Sequence, residues 1–272
     1  MVLATAAPAL AHPPYVGSTG VCAGGGAEAA SLSGQAPDLS VVVPCFNEMR
    51  RLPASVAGVS RWLLERGRPF EVILVDDGSS DGTGALLRRL AGDYPQVRVK
   101  TLPRNRGKGR ASAEGVHFSR GTLVLLFDAD ASMPIEELSK LERAIADGAD
   151  IAIASRAVPG AREIDQPFHR RLLGKAFNRL VRVTLLPGLR DTQCGFKLFR
   201  GETARQLFSQ LEIDRFAFDI EILLRARRSR YRVTEVGVRW LNSDASSVSP
   251  LRDGGRMLWD LARLRLGSVG RS

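Results

Sequence analysis

Two aspartates separated by one residue, Asp128 and Asp130, close a run of strand length and character, Thr122–Phe127. On an extended segment leaving a strand, an Asp-x-Asp can turn both carboxylates toward one hard cation such as Mg²⁺ or Mn²⁺. Such a site holds the metal through one or two carboxylates and the phosphates of the substrate. The chemistry it suggests is that of a nucleotide-diphosphate site.

Two more polar turns follow earlier apolar runs. Pro44-Cys45-Phe46-Asn47-Glu48 comes after Leu39–Val43, and Asp76-Asp77-Gly78-Ser79-Ser80-Asp81-Gly82-Thr83 comes after Phe70–Val75. Between the second turn and the aspartate pair lies Arg104-Asn105-Arg106-Gly107-Lys108-Gly109-Arg110. Its glycines allow close backbone approach and its cations suit phosphate. Taken singly, each feature is equally at home as turn, cap or solvated loop. Their joint placement carries the argument, because ligands of open α/β sheets bind beyond the carboxyl ends of the strands.

For these turns to share a crevice, the strands before them must lie side by side. Short β-branched runs alternate with longer amphipathic ones, the pattern of an α/β fold with a mostly parallel, Rossmann-like sheet flanked by helices. Strands are expected at Leu39–Val43, Phe70–Val75, Gln96–Thr101, Thr122–Phe127 and Asp150–Ala154. The intervening helices are expected from Asn47 and Glu48 onward, then at Gly84–Leu90, Lys108–Phe118 and Pro134–Asp147. Beyond Ser155 the pattern predicts a loop over Val158–Pro167 and a basic helix over His169–Leu186. A strand at Phe196–Phe199, helices at Thr203–Leu211 and Phe218–Arg228, and a strand at Arg232–Trp240 complete the domain.

Composition narrows the classes. Hydrophobic residues make up 44% and charged residues 25% of 272, so the chain is neither disordered throughout nor fibrous. No apolar run approaches the roughly 18–20 residues of a membrane-spanning helix. A net charge of +10 predicts attraction to polyanions. With 6% aromatics and no Arg/aromatic alternation, nucleic acid is not the expected partner. Three scattered cysteines, Cys22, Cys45 and Cys194, make no disulfide framework or zinc knuckle and fit a reducing cytosol. Residues 1–37, rich in Ala, Gly and Pro, are expected to be a disordered leader, 38–249 the domain, and 250–272 a basic amphipathic C-terminal helix and tail. Within that tail, Gly255–Leu266 suits either a membrane surface or a helix packed on the domain with solvated arginines.

Leu39-Ser-Val-Val-Val-Pro-Cys-Phe-Asn-Glu48, Val75-Asp-Asp-Gly-Ser-Ser-Asp-Gly-Thr83, Asn105-Arg-Gly-Lys-Gly109, Phe127-Asp-Ala-Asp130 and Asp191-Thr-Gln-Cys-Gly-Phe-Lys197 together resemble glycosyltransferase family 2. Within it they are most similar to the dolichyl-phosphate β-glucosyltransferase and polyprenyl-phosphate mannose synthase branch. The resemblance runs from about Leu39 to Trp240 and implies a GT-A fold. It implies a nucleotide-sugar donor, UDP-glucose or GDP-mannose, and inverting transfer of a hexose, with glucose favoured by the last motif. Pro44, Asn47 and Glu48 would line the nucleoside pocket together with Asp76, and Asp77 would hold the base or ribose. Lys108 would reach the diphosphate. Asp128 and Asp130 would bind Mg²⁺ or Mn²⁺, with Ser132 standing where mannose-synthase relatives have a metal-binding glutamine.

Arg156, with Arg170 or Arg171, would hold the phosphate of a polyprenyl phosphate acceptor, although Gly174 replaces the serine that completes this clamp in relatives. An anionic phosphate needs no general base; a soluble or polysaccharide hydroxyl acceptor would, with Asp191 or Asp219 as candidates. Asp191 is favoured as an orienting group. The expected location is cytoplasmic and peripheral, at an anionic membrane surface on the inner face of the cell membrane.

Overall fold

The computed structural model describes residues 36–164, 177–241 and 250–266. Residues 1–35 of the expected leader 1–37, and Arg170 and Arg171, lie outside the described residues.

Seven strands form one sheet in the order β3-β2-β1-β4-β7-β5-β8. They are β1 (Leu39–Cys45), β2 (Phe70–Asp76), β3 (Val97–Thr101), β4 (Leu123–Leu126), β5 (Ile151–Ser155), β7 (Lys197–Arg200) and β8 (Val233–Gly237). All pairings are parallel except those of β7, which runs antiparallel to both β4 and β5. Burial on both faces explains why β1 reads as a continuous apolar run rather than an alternating one. Val41 and Val43 enter one core with α1 (Leu52–Glu65), α2 (Thr83–Asp93) and α4 (Leu138–Ala146). Val42, on the opposite face, enters a second core with α3 (Lys108–Phe118), α5 (Gly201–Ser209), α6 (Phe218–Arg228) and α7 (Pro250–Arg265).

The sheet matches the expected α/β architecture; the departures from it have local causes. The first helix starts at Leu52 and not at Asn47, because Asn47 sits at φ 56°, in the left-handed region that a helix cannot continue through. A 3₁₀ turn, Ile135–Glu137, precedes α4. The expected strand Arg232–Trp240 breaks at Val238, and its end becomes β9 (Arg239–Leu241), which pairs in parallel with β6 (Arg162–Ile164) inside the expected loop. Part of the basic helix His169–Leu186 is seen as helical residues 177–184. In α7, Leu261 and Leu264 are buried in the second core while Leu258 and Trp259, and Leu266 just after the helix, are exposed. Among the described residues no helix is long and apolar enough to cross a membrane.

Candidate active site

The turns after β1 and β2 clasp each other. Asn47 N–H donates to Ser79 Oγ at 3.0 Å and Ser80 N–H donates back to Asn47 Oδ1 at 2.9 Å. Glu48 N–H donates to Thr83 Oγ1 at 2.9 Å, and Asp76 Oδ1 accepts the Ser79 amide at 2.9 Å. Asn47 is exposed, Pro44 half-buried, and Glu48, Asp76 and Asp77 are buried. Burial pushes the Glu48 carboxyl above its usual range; Arg51 opposes this, and the charges of Asp130 and Asp128 add to it.

Asp77 carries the third segment. Its two carboxylate oxygens accept the amides of Arg106 at 2.8 Å and Gly107 at 2.7 Å. Gly107, at φ 115°, lies so close to the Asp214 carbonyl that any β-carbon would collide with it. That compression delivers Lys108 to the first residue of α3 with its Nζ 2.6 Å from Asp128 Oδ1. The Asp128 carboxylate outweighs burial and, with Asp219 and Asp130, holds the Lys108 ammonium firmly protonated.

Asp128 and Asp130 are both half-buried. Asp130 Oδ1 accepts the Ser132 amide at 3.0 Å, across Ala131 at φ 49°. The loop is tied to β9, because Leu241 N–H donates to the Ser132 carbonyl at 2.9 Å. A small pocket here is lined by Asp128, Ser132, Met133, Gly195, Phe196 and Trp240. Among the described residues no three His, Cys, Asp or Glu side chains converge as a complete metal cage. Two adjacent half-buried carboxylates suit a hard cation that takes its remaining ligands from phosphate and water.

After β5, Asp191 binds Arg156 at both ends. Its oxygens accept Arg156 Nε–H at 2.7 Å and Nη2–H at 3.0 Å, and also the Arg156 amide at 3.0 Å. Burial alone would raise the Asp191 carboxyl, but the Arg156 charge and its donors overcome this and hold it below the usual aspartate range. Glu235 fixes the loop by accepting the amides of Arg190 and Asp191, each at 2.8 Å. The Arg156 guanidinium rests 4.7 Å from the centre of the Trp240 ring. Asp219, the other candidate base, is buried beside Lys197, which is 1% exposed, with Lys197 Nζ 2.5 Å from Asp219 Oδ1.

The described candidate residues thus fall into a candidate donor group at the turns after β1, β2 and β4 (Pro44, Asn47, Glu48, Asp76, Asp77, Lys108, Asp128, Asp130) and an Arg156–Asp191 pair after β5. Sequence reasoning assigned no role to Trp240 or Lys197. Trp240 left no signal, whereas Lys197 was the last residue of a recognised motif.

A mostly parallel sheet with helices on both faces, carrying an Asp-x-Asp pair beyond its fourth strand, is the fold of the GT-A glycosyltransferases. The model of the family described as Glycosyl transferase family 2 matches residues 40–208, and the chain belongs to that family. It is 38% identical over 242 residues to a dolichyl-phosphate β-glucosyltransferase of Homo sapiens, covering 84% of this chain and 75% of that one. It is 35% identical over 240 residues to the enzyme of that name from Dictyostelium discoideum, covering 84% and 73%. Among solved structures, glucosyl-3-phosphoglycerate synthase from Mycobacterium tuberculosis, in complex with Mn²⁺ and UDP-glucose, superposes with a TM-score of 0.62 at 18% identity, covering 89% of this chain and 83% of that one.

Proposed function

We propose that this glycosyltransferase transfers a hexose, glucose from UDP-glucose, to the phosphate of a polyprenol with inversion at the anomeric carbon. Pro44, Asn47, Glu48, Asp76 and Asp77 would frame the nucleoside, and Lys108 would face the diphosphate. Asp128 and Asp130 would hold Mg²⁺ or Mn²⁺, which when bound supplies positive charge to the departing diphosphate. Lys108 contributes charge of the same sign from a fixed position, so it helps at the moment the leaving group develops its own.

The observation that carries the acceptor assignment is the state of the two acids weighed as bases. Asp191 is committed to Arg156 and Asp219 to Lys197. An acceptor hydroxyl would need a carboxylate ready to take its proton, whereas a phosphate oxygen is already anionic near neutral pH. Arg156, steadied by Asp191 and Trp240, would be the cation that meets it, and Arg170 and Arg171 remain candidates for a second anchor. The names of the similar dolichyl-phosphate β-glucosyltransferases support the same acceptor class and the same sugar.

A lipid acceptor brings the enzyme to a membrane. Exposed Leu258 and Trp259 on α7 and Leu266 just beyond it, beside exposed Arg256 and Arg265, suit the interface of an anionic bilayer on the cytoplasmic side. Exposed Leu180 and Val183, with Arg179 and Arg182, repeat this composition on helical residues 177–184. Arg265 Nη1 donates to the Thr184 carbonyl at 2.6 Å and joins the two segments.

Radiolabelled UDP-glucose incubated with polyprenyl phosphate and Mn²⁺ is expected to place label in an organic-extractable, mild-acid-labile product. Label confined to water-soluble product rejects the lipid acceptor. Asp130→Asn is expected to abolish transfer while leaving the melting temperature near that of the wild type; full activity in that variant defeats the metal assignment. Sedimentation with phosphatidylglycerol vesicles that is lost at high salt is expected for the peripheral surface.

A further inference from the structure

Lys197 is a lysine at the centre of a sheet. It opens β7 with Leu126 of β4 on one side and Ile153 of β5 on the other, and it is 1% exposed. Lysine is almost never buried so fully without a partner. Its Nζ has two: Asp219 Oδ1 in the first turn of α6 and the Cys194 carbonyl, each at 2.5 Å.

The Cys194 carbonyl belongs to the turn that reaches the candidate metal pair. The next residue, Gly195, lies so tightly against Asp128 that a β-carbon there would overlap both carboxylate oxygens. On the far side of the turn, the Phe196 carbonyl accepts Ala154 N–H of β5 at 3.0 Å. Asp128 is therefore wedged, with Lys108 Nζ 2.6 Å from one oxygen and the Gly195 backbone against the carboxylate. The second arm of Lys197 reaches the other half of the wedge. Asp219 is in α6, and its neighbour Phe218 packs against Gly109, directly after Lys108. One ammonium thus ties the turn that confines Asp128 to the helix that abuts the start of α3.

We propose that Lys197 and Asp219 are positioning residues for the donor site. They hold the Cys194–Gly195 turn against Asp128 and α6 against Lys108, so that the aspartate keeps one pose for a divalent cation and diphosphate. A buried ion pair needed for stability alone is replaceable by apolar residues of similar volume with little cost. One needed for placement is not, and losing such an outer partner of a metal ligand typically lowers metal affinity or activity by about 10–100-fold. The proposal rests on the reading of this site as one for a nucleoside diphosphate and a divalent cation.

The test is the double variant K197M/D219L, followed by its melting temperature without ligand and by calorimetric titration of UDP in the presence and absence of Mn²⁺. The expected result is a protein that still melts cooperatively, with Mn²⁺-dependent UDP affinity reduced about 10–100-fold. Wild-type melting together with wild-type UDP·Mn²⁺ affinity overturns the proposal. If the double variant does not fold, Asp219→Asn, which keeps both the volume and an acceptor for Lys197, takes the same measurements. A weakened Mn²⁺ response then supports the proposal and an unchanged one overturns it. Wild-type protein that binds no UDP·Mn²⁺ refutes the site reading itself, which separates the two failures.

Discussion

Arg156 and Asp191 meet edge to edge, with Nε and Nη2 lying 2.7 and 3.0 Å from the two carboxylate oxygens. The pair joins the end of β5 to the loop before β7, so two segments 35 residues apart in sequence fix one guanidinium beside Trp240.

Replacing Arg156 by lysine keeps the charge and loses the fork and the contact with Trp240. The acceptor KM is expected to rise about tenfold, equivalent to about 1.5 kcal/mol for one charge-assisted hydrogen bond, with the UDP affinity unchanged. Steady-state kinetics with varied acceptor check this; a change confined to the donor KM contradicts it.

The same pair makes a pH prediction. Asp191 is held below its ordinary value, so its contribution to stability is complete above the unfolded pKa of about 3.9 and is lost as pH falls through the lower folded value. Urea midpoints of the wild type are therefore expected to drop as pH goes below about 4. In Asp191→Asn the midpoint at pH 7 is lower and this part of the acid dependence disappears.

Gly195→Ala puts a methyl group where the Asp128 carboxylate lies. A displacement of about 1 Å at a reacting centre costs about a hundredfold in rate, and overpacking typically costs about 1–3 kcal/mol of stability. A kcat reduced about a hundredfold in a folded protein is the expected outcome, read from single-turnover rates beside a thermal melt.

Asp77→Asn replaces one acceptor of the Arg106 and Gly107 amides by an amide donor. The basic loop is expected to loosen and UDP affinity to fall about tenfold, the size of one lost charge-assisted hydrogen bond. Unchanged UDP affinity by calorimetry removes Asp77 from the positioning of Lys108.

Much of the donor half was legible because its polar residues end strands that are strongly apolar. Helices Lys108–Phe118 and Phe218–Arg228 have the expected limits, and the turns after β1, β2 and β4 converge as strand order requires. What escaped depends on pairing over long distance. Asn47 and Glu48 look like a helix start, but Asn47 is pulled into a left-handed conformation while exchanging hydrogen bonds with the Ser79–Ser80 turn. β6 and β9 are three residues each and exist only through each other. Lys197 reads as the one polar residue inside the short expected strand Phe196–Phe199, and nothing local says that the strand inserts between two others. Asp191 and Asp219 were visible as acids; that cations occupy both is a property of the folded chain alone.

The antiparallel course of β7 also bears on how the molecule is made. During synthesis β1 to β5 emerge first, and until β7 arrives β4 and β5 each lack the neighbour that will join them. Unpaired strand edges of this kind invite association with other chains. Fragments ending before Lys197 are therefore expected to aggregate, because the sheet is continuous from β4 to β5 only once β7 has been made.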